Sequence, residues 1–299
     1  MDRNAVILVD KGSGITSFDC LGRIKRLINK KTGHCGTLDK FAHGLMIVLC
    51  GSYTKLVPVF MGMDKTYEAV IEFGKSTDTL DPEGAVTETG GVPSLEQVQG
   101  AVGRLTGYIS QVPPAYSAIH VNGRRSYQLA RSSEDAPELE PRHVTIHEAS
   151  IVSYDAPLLK IRLRVSKGTY IRSYARDLGH LCGSCAYVKE LYRTSIGPFD
   201  VREALRYDDD DALRALAMSN DDGLDLIARI PYTSFVDVDE EETFRLSNGC
   251  VPYTVRSRLP KERTGFVVFM AETPGGTKKA VCIYSMESGR IACQVRGGS

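Results

Sequence analysis

Between Leu158 and Val165 the chain reads LLKIRLRV, and the alternation is strict: Leu159, Ile161, Leu163 and Val165 against Lys160, Arg162 and Arg164. A period of two sends successive side chains to opposite faces, so this stretch predicts a β-strand with an apolar face turned in and a basic face turned out. KTYEAVIEFG repeats the pattern, with Tyr67, Ala69, Ile71 and Phe73 on one face. AVILVDK near the N-terminus and MIVLCG at 46–51 are continuous apolar runs and predict buried strands. Helical spacing occurs between these runs. SFDCLGRIKRLIN, residues 17–29, predicts a helix with the apolar stripe Phe18, Leu21, Ile24 and Ile28, capped by Thr16 or Ser17. Lys25, Arg26, Lys30 and Lys31 gather at its C-terminal end, where cations suit the helix dipole. SLEQVQGAVGRLTG opens on a capping box of Ser94 and Gln97. SYARDLGHL and SCAYVKELYR read as two short helices. Strands and helices mix without a βαβ rhythm, which predicts an α+β fold around a mixed, largely antiparallel sheet flanked by helices. After Pro231 the pattern changes to short strands in LSNGCV, GFVVFM, AVCIYS and GRIACQV. The expected organisation is one large domain over residues 1–235 and a small β-rich domain over 236–299.

At 299 residues, 42% hydrophobic and 25% charged, the chain has the make-up of a globular protein of one large or two smaller domains. No apolar run approaches the roughly 18 residues of a membrane span. The apolar run of MDRNAVILVDKGSG is too short for a secretory signal and has no small-residue cleavage site, so the cytoplasm is the expected compartment. Eight cysteines, at 20, 35, 50, 182, 185, 250, 282 and 293, are too sparse for a disulfide scaffold of this length and are expected to be reduced and mostly buried. The formal net charge of zero hides an asymmetry: residues 1–60 carry nine Lys/Arg against four acids, and residues 201–245 carry five Arg against thirteen acids. A local polyanion partner therefore stays open. The acidic stretch reads as a solvated face around a short helix.

Four polar clusters hold the candidate chemistry. GHCGTLDKFAHG, from Gly33 to Gly44, sets one acid, Asp39, in a glycine-rich turn ahead of a buried strand. Carboxylates are rarely buried unless paired, so Asp39 either caps a turn or does chemistry. DKTYEAVIEFGKSTDTLDPEG carries Tyr67, Asp78 and Asp81; QVPPAYSAIHVNGRRSYQLAR interleaves Tyr116, Arg124, Arg125 and Tyr127; SKGTYIRSYARDLG carries Lys167, Tyr170 and Arg172. Tyrosines and arginines in this mixture suit single-stranded RNA, which is held by basic grooves and aromatic stacking platforms. Other chemistries fare worse. There is no P-loop, no G-x-S-x-G and no G-x-G-x-x-G. CGSC at 182–185 has no second pair at zinc spacing and no redox context, and His143 and His147 in HVTIH fall on a strand.

Taken together with LVDKGSGITSFDCLGRIKR and SKGTYIRSYARDLGHLCGSCAYVKELYR, these motifs stand in an order that resembles the TruB-type tRNA pseudouridine synthases, from about residue 6 to 200. The resemblance implies an isomerase that converts uridine 55 in the TΨC arm of tRNA to pseudouridine. It implies a pseudouridine-synthase-like catalytic domain, no cofactor, no metal, no membrane, tRNA as partner and a monomeric enzyme. It implies that Asp39 is the catalytic aspartate, that Tyr67 stacks on the target base, and that Tyr170 lies near its C5. Arg172 would pair with Asp39, and Leu191 would line the base pocket. His34 would fill the gap left in the stacked T-loop; Lys55 and Asp81 would help bind RNA or order the pocket. The sequence departs from the family's usual residues at Lys40 and Gly12, where proline is common, and at Cys35, where threonine is common. The C-terminal region resembles the family's PUA-like tail only loosely. A glycine-rich turn lets the backbone approach RNA closely, and an arginine partner would suit an acid held there. The carboxylate would either add to C1′ or take a proton from C2′; both remain open. Two rivals are an RNA-binding protein without catalysis and a related synthase that works on a different RNA or with a guide RNA.

Overall fold

A computed structural model describes residues 3–116, 120–121, 124–125, 139–219, 223–273 and 275–295. Its principal elements through the middle of the chain are β1 (Ala5–Lys11), α1 (Ser17–Leu27), β2 (Thr32–His34), β3 (His43–Cys50), β4 (Lys65–Phe73), α2 (Leu95–Arg104), β5 (Gly107–Gln111), β6 (Arg142–Asp155), β7 (Leu158–Val165), α3 (Ile171–Leu181) and β8 (Ala186–Ile196). β9 (Leu205–Arg206), α4 (Asp210–Met218), β10 (Thr233–Val238), α5 (Glu240–Ser247), β11 (Phe266–Glu272), β12 (Lys278–Ser285) and β13 (Arg290–Gln294) follow. The chain divides into two compact units, residues 1–38, 45–62 and 197–299 in the first and residues 39–44 and 63–196 in the second. This division groups residues 197–299 with the N-terminal segments, and the small C-terminal sheet begins at Thr233.

In the first unit the strand order is β9-β1-β3, with β1 and β9 parallel and β2 antiparallel to β3. α1 starts on a complete capping box: Asp19 N donates to Thr16 Oγ1 at 3.1 Å and Thr16 N donates to Asp19 Oδ2 at 3.1 Å. Cys20, Leu21, Ile24 and Ile28 pack against Ile7, Val9, Met46 and Val48. Phe18 does not join them; it is 70% exposed, with Lys25 Nζ 5.0 Å from its ring centre. At 3.6 residues per turn Phe18 falls about 100° from the middle of the buried arc, outside the stripe that its spacing suggests.

The small sheet, β10-β11-β12-β13, buries Val267, Phe269, Cys282 and Tyr284 under Leu246 and Val255. LSNGCV is not a strand. Leu246 and Ser247 end α5, Gly249 N donates to Leu246 O at 2.9 Å, and Cys250 N donates to Arg245 O at 3.0 Å. That pair of bonds, with Gly249 at φ +83°, is a Schellman ending, which an apolar-turn-apolar string does not distinguish from strand and turn.

The second unit is built on the antiparallel order β8-β4-β7-β6-β5. Register sets Tyr67 opposite Leu163, Ala69 opposite Ile161 and Ile71 opposite Leu159, all buried. Each buried Leu or Ile among them contributes roughly 1.5–3 kcal/mol by leaving water. Lys160, Arg162 and Arg164 take the other, exposed face. SCAYVKELYR is a strand rather than a helix. Two irregularities in its pairing, at Val188/Glu190 and Arg193/Ser195, add residues to the ladder. Val188 and Leu191 are therefore both buried at a spacing of three, which imitates helical periodicity.

Candidate active site

Four segments of the second unit meet at one guanidinium. The first is the turn that begins at Asp39. Ala42 N donates to Asp39 O at 3.2 Å, and Gly44 ends the turn at φ +113° where the chain enters β3. A Cβ on Gly44 would stand 2.3 Å from Arg193 O of β8, so only glycine lets His43 and Gly44 pair with Tyr192 and Arg193. His43 also stacks on Tyr192, ring centres 4.5 Å apart. The far end of the Asp39 turn is thereby tied to β8.

The second segment is the loop from Thr77 to Ala85. Asp81 organises it: its backbone N donates to Thr77 Oγ1 at 3.0 Å, and its Oδ1 accepts from Thr79 Oγ1 at 2.6 Å and from Glu83 N at 3.0 Å. Leu80 sits at φ +60°, unusual for a residue with a side chain, and its carbonyl accepts from Val188 N at 3.2 Å. Asp81 is 5% exposed. Burial raises its carboxyl above the usual range, the Asp39 charge adds to that, and the Thr79 hydroxyl, the Arg172 guanidinium and the Glu83 amide pull part of the way back.

The third segment is the start of α3. Tyr170 is its N-cap, half-buried, and its backbone N donates to Gln111 Oε1 at 2.8 Å. Two residues on, Arg172 lies in the first turn, where the helix dipole disfavours a cation. Its side chain is only 5% exposed, so its partners must make up for both burial and dipole. Nε meets Asp39 Oδ2 at 2.9 Å and Nη2 meets Asp39 Oδ1 at 3.1 Å, a bidentate grip. Nη1 reaches Asp81 Oδ2 at 3.3 Å and Thr79 O at 2.9 Å, and Nη2 also donates to Tyr116 O, the fourth segment, at 2.9 Å.

One cation thus serves two carboxylates that differ in access. The Asp39 side chain is 35% exposed and that of Asp81 7%. Asp39 is therefore the more accessible of the two acids, oriented by a bidentate contact with a buried group. Tyr67 is buried on β4 opposite Leu163 and Arg193, and Leu191 is buried opposite Ala69 on the same sheet face. His34 on β2 and the exposed Lys55 belong to the first unit. Tyr127 lies outside the described residues. Among the described residues no three of His, Cys, Asp or Glu form a metal-holding group; in CGSC, Cys182 Sγ lies 3.7 Å from Gln97 O and Cys185 is buried.

Three contributors carry no signal in the string of residues. Arg193, 1% exposed beside Tyr67, is hidden by the helical spacing of β8; Gln111 holds the Tyr170 amide; Glu83 lies 3.4 Å from Lys40.

Known proteins resemble this chain in sequence and in fold. Residues 25–171 match the family described as TruB family pseudouridylate synthase (N terminal domain). A protein of Caulobacter sp. (strain K31) named tRNA pseudouridine synthase B is 34% identical over 296 residues, 98% of this chain and 93% of that protein. The chain belongs to the TruB family. As a TruB-family protein it is a pseudouridine synthase, an isomerase. A second relative of the same name, from Borreliella afzelii (strain PKo), is 44% identical over 205 residues, 67% of this chain and 72% of its own. Among solved structures, a Cbf5-Nop10-Gar1 complex aligns at TM-score 0.64 and 20% identity over 100% of this chain and 84% of that one. An H/ACA RNP bound to a substrate RNA containing 2′-deoxyuridine aligns at TM-score 0.63 and 18% identity, over 98% and 84%. These two likenesses concern the fold, which is that of the pseudouridine synthases. No helix of the described residues is long and apolar enough to cross a membrane.

Proposed function

We propose that the protein isomerises uridine 55 in the T arm of tRNA, as a cytoplasmic monomer, with Asp39 as its catalytic carboxylate. The observation that carries this reading is the bidentate Arg172–Asp39 pair, in which the cation is buried and the acid keeps one third of its surface open. The relatives named tRNA pseudouridine synthase B point to tRNA as the substrate class. In the reaction the N1–C1′ bond breaks, the base turns, C5 joins C1′, the C5 proton leaves and N1 gains a proton. The uridine has to leave its stack first, at about a few kcal/mol. On this reading Tyr67 receives the base, Leu191 lines its pocket, and Tyr170 stands near C5. Asp39 acts as nucleophile at C1′ or as base at C2′. Asp81 holds Arg172 from its far side. His34 and Lys55 contribute to RNA binding from the first unit.

The test is single-turnover conversion of a T-arm RNA carrying tritium at C5 of the target uridine, with enzyme in excess. Asp39→Asn keeps size and one acceptor oxygen but cannot act as nucleophile or base, so tritium release should cease while tRNA affinity stays within about tenfold, because affinity comes from many phosphate and stacking contacts. Release at near wild-type rate would reduce Asp39 to a turn cap. A wild-type protein that binds T-arm RNA and releases no tritium would be a binder without catalysis.

A further inference from the structure

Lys40 follows Asp39 directly, and its Nζ lies 3.4 Å from Glu83 Oε1, with the two side chains 53% and 44% exposed. Judged alone this is a surface ion pair of small worth. Its place in the site gives it more. The backbone of Glu83 is fixed, because its amide donates to Asp81 Oδ1 and the next residue, Gly84, lies where a Cβ would meet Asp78 Oδ1 at 2.2 Å and Thr79 Oγ1 at 2.3 Å. Ala85 N donates to Asp78 Oδ1 at 2.9 Å and closes the loop. The contacts therefore form a circuit: Asp39 to Arg172, Arg172 to Asp81, Asp81 to Glu83, Glu83 to Lys40, and back to Asp39 through one peptide bond.

We infer that Lys40, through Glu83, is a positioning residue that holds the Asp39 turn against the 77–85 loop. The inference rests on the reading of Asp39 as the catalytic acid. Arg172 grips the carboxylate, which leaves the backbone of the turn to swing about it. The lysine restrains that backbone one residue on, from the same loop that holds Arg172 through Asp81. The bidentate contact orients the carboxylate, and a second anchor on the next residue restrains the backbone that carries it. Reaction at C1′ or C2′ demands orientation, since small misplacements of a reacting group cost large factors in rate. Because the Glu83 side is prefixed, the pair loses less conformational freedom on forming than two free surface chains do.

The experiment compares wild type with Lys40→Glu, Glu83→Lys and the exchanged pair Lys40→Glu/Glu83→Lys. Single-turnover tritium release is measured at saturating enzyme, the affinity for T-arm RNA separately, and amide hydrogen exchange of residues 39–44 in the free protein. Each single reversal sets like charges side by side and should slow the saturated rate about 5- to 20-fold and speed exchange across the turn. The exchanged pair should bring both back to within about twofold of wild type, a rescue that simple destabilisation does not produce. Lys40→Arg, which keeps the charge, should stay within about twofold. If the exchanged pair stays as slow as Lys40→Glu, or if Lys40→Glu lowers RNA affinity and leaves the saturated rate unchanged, as a phosphate contact would, the inference is wrong. If neither reversal alters turn exchange, the tether does not exist. Exchange measured in an Asp39→Asn background reads the tether without chemistry, so failure of the Asp39 reading and failure of the tether give different results.

Discussion

Replacing Arg172 with methionine removes the one cation that both Asp39 and Asp81 share while keeping most of the side chain's apolar bulk. The wild-type guanidinium is 5% exposed and satisfied by two carboxylates and two carbonyls, Thr79 O and Tyr116 O. Breaking a buried pair by removing one partner costs about 3–5 kcal/mol, because the other charge stays uncompensated. Here Asp39 can turn to solvent, but Asp81 at 7% side-chain exposure cannot. Asp81 can relieve itself by binding a proton. Its carboxyl already titrates above the usual range through burial, and losing Arg172 removes one of the contacts that pull it back. A folded value raised above the unfolded one means that the native state holds more protons within that window. Stability therefore falls as pH rises through the window, and more steeply in the variant than in wild type. The deficit should be about 3–5 kcal/mol at pH 8 and shrink toward acid pH by about 1.4 kcal/mol for each pH unit inside the window. Urea unfolding followed by far-UV circular dichroism at pH 8 and pH 5.5 measures it; the chain has no tryptophan, so circular dichroism is the direct probe. Adding Asp81→Asn to Arg172→Met should recover part of the loss at pH 8 and little at pH 5.5. A deficit under about 1 kcal/mol, or one equal at the two pH values, would refute the shared-cation account.

Three further outcomes can be checked independently. Burial pushes the thiols of Cys20 and Cys293 up to about 11 and those of Cys50 and Cys282 to about 12, whereas Cys250 is exposed. At pH 8 a thiol reagent should therefore label Cys250 within minutes and those four only on unfolding, and fast labelling of Cys50 in native protein would contradict the packing. Gly44→Ala should destabilise by more than about 2 kcal/mol, from a left-handed backbone and a collision with Arg193 O, while Gly183→Ala, at φ +66° with open space around it, should cost only about 1 kcal/mol; equal thermal shifts would remove the case for Gly44 as a spacer. Burial alone would raise Glu72, but its bonds to Lys189, Tyr187 and Lys75 together hold it below the usual carboxylate range, so it adds stability above its unfolded value that is lost as pH falls through the folded one. Glu72→Gln should accordingly be less stable than wild type at pH 7 and converge with it as acid titration of unfolding passes below the usual carboxylate range.

What the sequence determined by itself is what depends on residues two to four apart. The two-residue alternation of β7, the Thr16 cap of α1, the capping box of α2, and the apolar runs of β1 and β3 stand in the structure as the string predicts, because pleat and helix period act within a few residues of their cause. The ordered motifs also named Asp39, Arg172 and Asp81, but only through resemblance, since nothing in the spacing of residues 39, 81 and 172 says that they meet. Tertiary structure alone decided the rest. β8 is a strand because β4 offers it a ladder whose irregularities its own three-residue apolar spacing conceals. Phe18 faces water because the core touched the neighbouring arc of α1. Arg172 can be buried in the first turn of a helix only because folding brings it carboxylates from 133 and 91 residues away, and Lys40 finds Glu83 because that same loop has been fixed by Asp81. A charge's environment is the sum over everything that folding packs around it, and that sum is absent from any local window of the chain.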